Sequence, residues 1–146
     1  MKGEFNFWNH HSRNYLEMAF RADRHETLAS PDGHGFNKGV CGDSVEMFVT
    51  VKEGRIETVT FRVNGCMNTN ACANTVAHLA EGKTLEEAWE ITPQDVIDFL
   101  ETLPEQSTHC AELAVGAFYL ALRNLEEGDA KAHELHSGSK EGSSQV

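Results

Sequence analysis

The feature that most constrains the fold is a run of alternating residues on each side of a short turn. Val45, Met47 and Val49 alternate with more polar neighbours, and a similar pattern resumes after the segment KEGR at 52–55. Period-two alternation is typical of strands with one buried face, and a glycine-containing turn between two such runs indicates antiparallel pairing. We therefore predict a half-buried hairpin over residues 44–63.

Segments outside the hairpin carry helical signals. Residues 14–29 hold dense apolar positions, which favour an amphipathic helix. Helical spacing predicts a second helix that ends before Gly82. Threonine-based capping patterns predict two further helix starts, at Thr84 and at Thr92 before a proline. A last helix should begin near Ser107 or Thr108 and run to about Gly128.

Two segments are predicted to lack regular structure. Residues 30–43 hold a proline and four glycines, which predicts a loop. Residues 129–146 are polar and rich in glycine and serine, and we predict a disordered tail. Residues 1–128 are therefore assigned to a single domain. Three aromatic residues near the start are interpreted as an apolar anchor that packs on the domain or on a partner: Phe5, Phe7 and Trp8.

Charge and hydropathy argue against two classes of partner. The formal net charge is −11, from 23 acidic against 12 basic side chains, which disfavours binding to a nucleic acid backbone. The longest charge-free apolar run, residues 113–122, is shorter than the roughly 20 residues that a membrane span needs. No secretory signal is visible, so we expect a cytoplasmic protein. In a reducing compartment its cysteines are expected as metal ligands, catalytic thiols or core residues rather than disulfides.

Three cysteines lie at the ends of predicted elements. Cys41 precedes the first strand, Cys66 follows the hairpin, and Cys110 lies in the first turn of the last helix. A helix N terminus lowers the pKa of a nearby thiol and favours the metal-binding thiolate. Asp43 and His109 are close to these thiols in sequence, so one oxygen or nitrogen could complete a zinc or iron-sulfur site. Spacing does not choose between these sites, and unrelated buried cysteines remain the alternative.

Several motifs together resemble a known family. The chain carries four of them, with the hairpin between the first two: CGD at 41–43, NGC at 64–66, EGKTLEEA at 81–88 and THCAELA at 108–114. In the order and spacing of these motifs the chain resembles the iron-sulfur cluster scaffold family of IscU and the N-terminal domain of NifU. The resemblance covers about residues 12–127. It implies an α+β fold, a small antiparallel sheet of about three strands with helices packed on it. An extra strand would lie near the N-terminal loop.

The resemblance also implies a function and a ligand set. A scaffold of this family is not an enzyme: it accepts sulfur from a cysteine desulfurase, binds iron from a donor, builds a [2Fe-2S] cluster and transfers it to apo iron-sulfur proteins. The family ligands correspond to Cys41, Cys66 and Cys110, with Asp43 as a further metal ligand and His109 as a group that completes or tunes the site. Whether a homodimer shares one cluster stays open.

The chain departs from the family pattern at two places. Cys72 stands where the family often has serine or alanine, which suggests either an auxiliary persulfide acceptor or a small packed residue. The segment LPEQS at 103–107 stands where the best-known IscU proteins carry LPPVK, which argues against delivery through their specialised Hsp70 chaperone. Ser107 is then predicted to cap the last helix.

Two alternative functions use the same residues. SufU-like proteins are zinc-dependent sulfurtransferases that receive persulfide sulfur from a desulfurase, and Zn²⁺ could bind this ligand set. They carry an insertion between the strand-end cysteine and the GK segment, whereas the stretch from Cys66 to Gly82 is short here. That difference favours the cluster scaffold. A structural zinc domain that binds another protein is the second alternative.

Overall fold

A three-stranded antiparallel sheet forms one layer of the computed structural model, which describes residues 11–40 and 42–137, with side chains as far as residue 128. The strands follow one another in space in their sequence order, and helices pack against the sheet. The predicted α+β class with three strands is therefore confirmed. The strands are β1 (Gly33–Lys38), β2 (Ser44–Lys52) and β3 (Arg55–Asn64).

The helices form the second layer and position the two described cysteines of the predicted site. The last helix packs against β1 and β2, the second helix packs against β3, and the first helix packs on the second. The helices are α1 (Arg13–Phe20), α2 (Met67–Ala80), α3 (Leu85–Ala88), α4 (Pro93–Leu100) and α5 (Thr108–Ser137), with a 3-10 turn at Glu105–Ser107 before α5.

The predicted hairpin is confirmed by the pairing of β2 with β3. Lys52 pairs with Arg55, so Glu53 and Gly54 form a two-residue turn. Both turn residues have positive φ, 55° and 78°, as a turn that follows the twist of the strands requires. On the inner face Met47 pairs with a phenylalanine of β3, and both side chains are fully buried.

The first strand corrects the predicted loop over residues 30–43. β1 lies within that segment, because its glycines serve helix packing rather than turns. A Cβ added at Gly35 would lie 2.3 Å from the Ala117 carbonyl oxygen and 2.4 Å from the Ala121 nitrogen, both in the α5 backbone. Only glycine lets the helix approach the strand this closely. The extra strand that the resemblance placed near this loop is confirmed.

The first helix is shorter than the predicted helix over residues 14–29, and it ends at Phe20. Side chains of α2 bind the carbonyls at its end. The Asn70 amide donates to the Ala19 carbonyl at 2.8 Å, and the Asn74 amide donates to the Met18 carbonyl at 2.8 Å. These bonds satisfy carbonyls that have no partner inside the helix. The second helix begins at Met67, early enough to place both asparagines against α1.

The other predicted helix starts are confirmed. Thr84 and Thr92 each form a capping box with the residue three positions later. The last helix begins at Thr108 as predicted, but it continues beyond Gly128 to Ser137. Residues 129–137, which were assigned to the disordered tail, are therefore helical; disorder over residues 138–146 and the domain boundary stay predictions.

Two further predictions concern the N-terminal aromatic residues and membrane insertion. The aromatic anchor of Phe5, Phe7 and Trp8 lies outside the described residues. Within residues 11–40 and 42–137, every helix is too short or too polar to span a lipid bilayer.

Candidate metal centre

Three predicted ligands meet where three elements begin. Asp43 directly precedes β2, Cys66 is the N-cap residue of α2, and Cys110 lies in the first turn of α5. One ligand atom from each, a carboxylate oxygen and two sulfurs, lie within 4.8 Å of one another. Cys41 lies outside the described residues, so its part in the site stays a prediction.

Two glycines, Gly42 and Gly65, allow the Asp43 carboxylate to occupy its observed position. Gly42 has a φ of 96°, which few residues other than glycine adopt readily, and its N–H donates to the Gly39 carbonyl at 3.0 Å. On the opposite side, a Cβ added at Gly65 would lie 2.7 Å from Asp43 Oδ2. The glycine of the NGC motif therefore leaves the space that the carboxylate occupies.

The thiol of Cys66 is exposed and its pKa is lowered. Partial burial raises that pKa, and so does the Asp43 carboxylate. Hydrogen bonds from the Thr69 and Asn68 backbone N–H groups lower it, and the net shift is downward. These donors lie at the N terminus of α2, where backbone N–H groups have no partner inside the helix. The site therefore offers an accessible sulfur whose pKa is shifted in the direction of the thiolate.

A half-buried amide, that of Asn68, links the helix starts that carry the two cysteines. The Asn68 amide donates to the Ser107 hydroxyl at 2.9 Å, and its oxygen accepts a hydrogen bond from the Tyr15 hydroxyl. Ser107 was predicted as a cap for α5, and in the structure its hydroxyl accepts this bond from α2. Cys110, which is 1% exposed, follows three residues later. These two hydrogen bonds of Asn68 therefore help to fix the position of the Cys110 sulfur relative to the Cys66 sulfur.

His109 contacts the three-ligand group through Cys110. Its Nδ1 lies 3.2 Å from the Gln106 carbonyl oxygen, and its Nε2 lies 3.7 Å from Cys110 Sγ. A carbonyl can only accept, so Nδ1 carries a proton and donates to it. The ring is exposed. Its predicted part in completing or tuning the site stays a prediction.

Cys72 is a packing residue, which corrects the hypothesis that it accepts persulfide sulfur. Its side chain is 0% exposed. Burial raises the pKa of the Cys72 thiol far above its usual range, and the sulfurs of Cys110 and Cys66 raise it further. A protonated sulfur that an incoming group cannot reach is a poor nucleophile. The alternative of a small packed residue is the correct one.

Thr69 is a site residue that the sequence reasoning missed. Its side chain is fully buried. The hydroxyl lies 2.8 Å from Asp43 Oδ2, 3.5 Å from Cys110 Sγ and 3.7 Å from Cys66 Sγ. The spacing Cys-x-x-Thr at a helix start could have indicated it, because residues three apart are neighbours on a helix.

The donor set fits a soft or borderline metal. Thiolates favour zinc and iron-sulfur clusters, whereas magnesium and calcium favour sites built from oxygen ligands alone. The two described sulfurs and the carboxylate provide three of the four ligands that a tetrahedral centre needs. The fold and the site together define an α+β domain with a cysteine-and-aspartate group, of a composition suited to a metal ion, at the ends of its elements.

The comparison with known families agrees with this description. A family model described as NifU-like N terminal domain matches residues 23–132. The chain belongs to this family, as the motifs predicted.

Two individual relatives show the same relationship, and a solved structure shows the same fold. The chain is 40% identical over 109 residues to an iron-sulfur cluster assembly scaffold protein IscU of Archaeoglobus fulgidus, covering 74% of this chain and 71% of that protein. It is 36% identical over 87 residues to IscU of Escherichia coli, covering 59% and 67%. The fold resembles the N-terminal part of a NifU-like protein from Brucella abortus, with a TM-score of 0.66 at 18% identity, covering 80% of this chain and 94% of that chain.

Proposed function

We propose that this protein is an iron-sulfur cluster assembly scaffold. It accepts sulfur from a cysteine desulfurase, binds iron from a donor, builds a [2Fe-2S] cluster and transfers it to apo iron-sulfur proteins. The observation that carries the proposal is the meeting of Asp43, Cys66 and Cys110 within 4.8 Å in a member of this family. Cys41, two residues before Asp43 in sequence, is assigned as the remaining cysteine ligand.

Cys66 has the properties of the sulfur acceptor. It is exposed, and its pKa lies below the ordinary value of a thiol, so it can attack the outer sulfur of a persulfide on the desulfurase. The new sulfur-sulfur bond leaves a persulfide on Cys66 and releases the donor cysteine as a thiolate. Cys110 is buried and is assigned as a ligand rather than as the first acceptor.

A zinc-dependent sulfurtransferase is the second candidate. The same sulfur and carboxylate donors suit Zn²⁺, which prefers four ligands in a tetrahedral arrangement. In this function a bound zinc ion and the persulfide acceptor share the site, and no cluster is formed. A structural zinc domain would bind the ion without receiving sulfur.

Metal analysis with reconstitution distinguishes these functions. The protein is purified without oxygen, its iron and zinc are measured, and ferric iron and sulfide are then added with a thiol reductant. A scaffold is expected to develop the visible absorption of a [2Fe-2S] cluster and to lose it when an apo-ferredoxin is added. A protein that stays colourless while it retains zinc and takes sulfur from a desulfurase would instead be the sulfurtransferase.

Asp43 is expected to control release of the cluster. A carboxylate is a harder ligand than a thiolate and holds iron-sulfide less firmly. An Asp43→Ala variant is therefore expected to retain a reconstituted cluster longer and to transfer it to an apo-ferredoxin about tenfold more slowly. The transfer is followed by circular dichroism in the visible range. An unchanged transfer rate would remove Asp43 from this role.

A further inference from the structure

The Thr69 hydroxyl contacts all three described ligands of the metal centre. It lies on the third residue of α2, which faces the N-cap position held by Cys66. Cys110 approaches it from α5, and Asp43 approaches it from the loop before β2. Thr69 itself is fully buried, so its hydroxyl must find its partners inside the protein.

The distances rank the partners of this hydroxyl. A hydroxyl has one hydrogen to donate, and a carboxylate accepts it more strongly than a neutral thiol does. The bond to Asp43 Oδ2 is 2.8 Å long, which is the usual length of a strong O–H to oxygen bond. The sulfurs of Cys110 and Cys66 lie farther away, at 3.5 Å and 3.7 Å. The hydroxyl therefore donates its hydrogen to the Asp43 carboxylate in preference to either sulfur.

We propose that Thr69 is a positioning residue that holds the Asp43 carboxylate against the two sulfurs, so that the ligands are in place before a metal ion arrives. The inference rests on the proposed function, since it assigns a task inside the same centre. Asp43 is only half-buried and follows a glycine-containing turn, so without this bond its side chain would be free to turn toward solvent.

The same hydroxyl can serve the site after metal binding. Rotation about the Cβ–Oγ bond turns its hydrogen from Asp43 Oδ2 toward Cys110 Sγ, and no heavy atom has to move. A metal-bound thiolate accepts hydrogen bonds, and such bonds tune the metal that it holds. Valine in place of Thr69 keeps the shape of the side chain and removes both interactions.

Cobalt binding tests the inference. Co²⁺ is added without oxygen to protein stripped with a chelator, and the sulfur-to-cobalt absorption band reports binding through the cysteines. Thr69→Val is expected to lower the Co²⁺ affinity about tenfold, the change that one charge-assisted hydrogen bond supports. Thr69→Ser is expected to restore it to within about threefold. In the Asp43→Ala background, Thr69→Val is expected to lower the affinity by only about threefold, because the carboxylate that it holds is gone and only the bond to Cys110 Sγ remains to be lost.

A matched control comes from the same helix. Thr75 is also fully buried, and its hydroxyl donates to the Ala71 carbonyl at 2.8 Å, away from the ligands. Thr75→Val is expected to leave the Co²⁺ affinity unchanged. An equal loss from Thr69→Val with and without Asp43, or wild-type affinity in Thr69→Val, would overturn the inference alone. A wild-type protein that gives no sulfur-to-cobalt band would overturn the proposed function and the inference with it.

Discussion

A Cys110→Ala variant is expected to lose at least about 100-fold of its affinity for Zn²⁺ or Co²⁺ and to form no stable cluster on reconstitution. Cys110 Sγ is within 4.8 Å of the other two described ligand atoms, so its removal leaves a gap in the coordination shell. The sulfur is also buried, at 1% exposure, so a water molecule cannot replace it without entering the protein. Metal affinity is measured by competition with a chromophoric chelator.

Cys72→Ala is the matched control for this variant. It also removes one sulfur from a buried position in a helix, but Cys72 packs in the core and does not belong to the three-ligand group. It is expected to keep the metal affinity and to lower the free energy of unfolding by on the order of 1 kcal/mol. A Cys110→Ala protein that binds metal as the Cys72→Ala protein does would show that Cys110 is not a ligand.

A Gly35→Ala variant is expected to lose about 3 kcal/mol of unfolding free energy. Its new Cβ would lie 2.3 Å from the Ala117 carbonyl oxygen, and backbone atoms of a helix cannot turn aside as a side chain can. Either β1 or α5 must move. Urea denaturation of the metal-free protein measures the loss.

Gly128→Ala is the control for Gly35→Ala. A Cβ added at Gly128 meets no described atom within 4 Å, and the residue lies inside α5. Alanine is the better helix former, so this variant is expected to be as stable as the wild type or more stable by about 0.5–1 kcal/mol. Equal stability of the two variants would show that β1 and α5 tolerate a wider separation.

Local chemistry explains which parts of the fold could be predicted. Alternation and a Glu53-Gly54 turn define the hairpin within a short stretch of chain, and the threonine caps of α3 and α4 depend on residues three positions apart. The site cysteines were found because they lie at element ends, where thiols gain unpaired backbone donors.

The features that were missed depend on contacts between distant residues. The glycines of β1 have the composition of a turn, and only the close approach of α5 shows why a strand needs them. The end of α1 is set by Asn70 and Asn74 of another helix. A threonine in the first turn of a helix is common, and Thr69 is distinguished only by the three side chains that reach it.

The hydrogen bonds from α2 to α1 determine which of the two helices can change more in sequence during evolution. Asn70 and Asn74 bind main-chain carbonyls of Ala19 and Met18, and every amino acid supplies that group. The side chains at the end of α1 can therefore be exchanged without loss of these bonds, provided that the new ones fit the core. The two asparagine side chains make these bonds themselves and cannot be replaced without losing them. Related chains are therefore expected to vary more in sequence at the end of α1 than at positions 70 and 74 of α2.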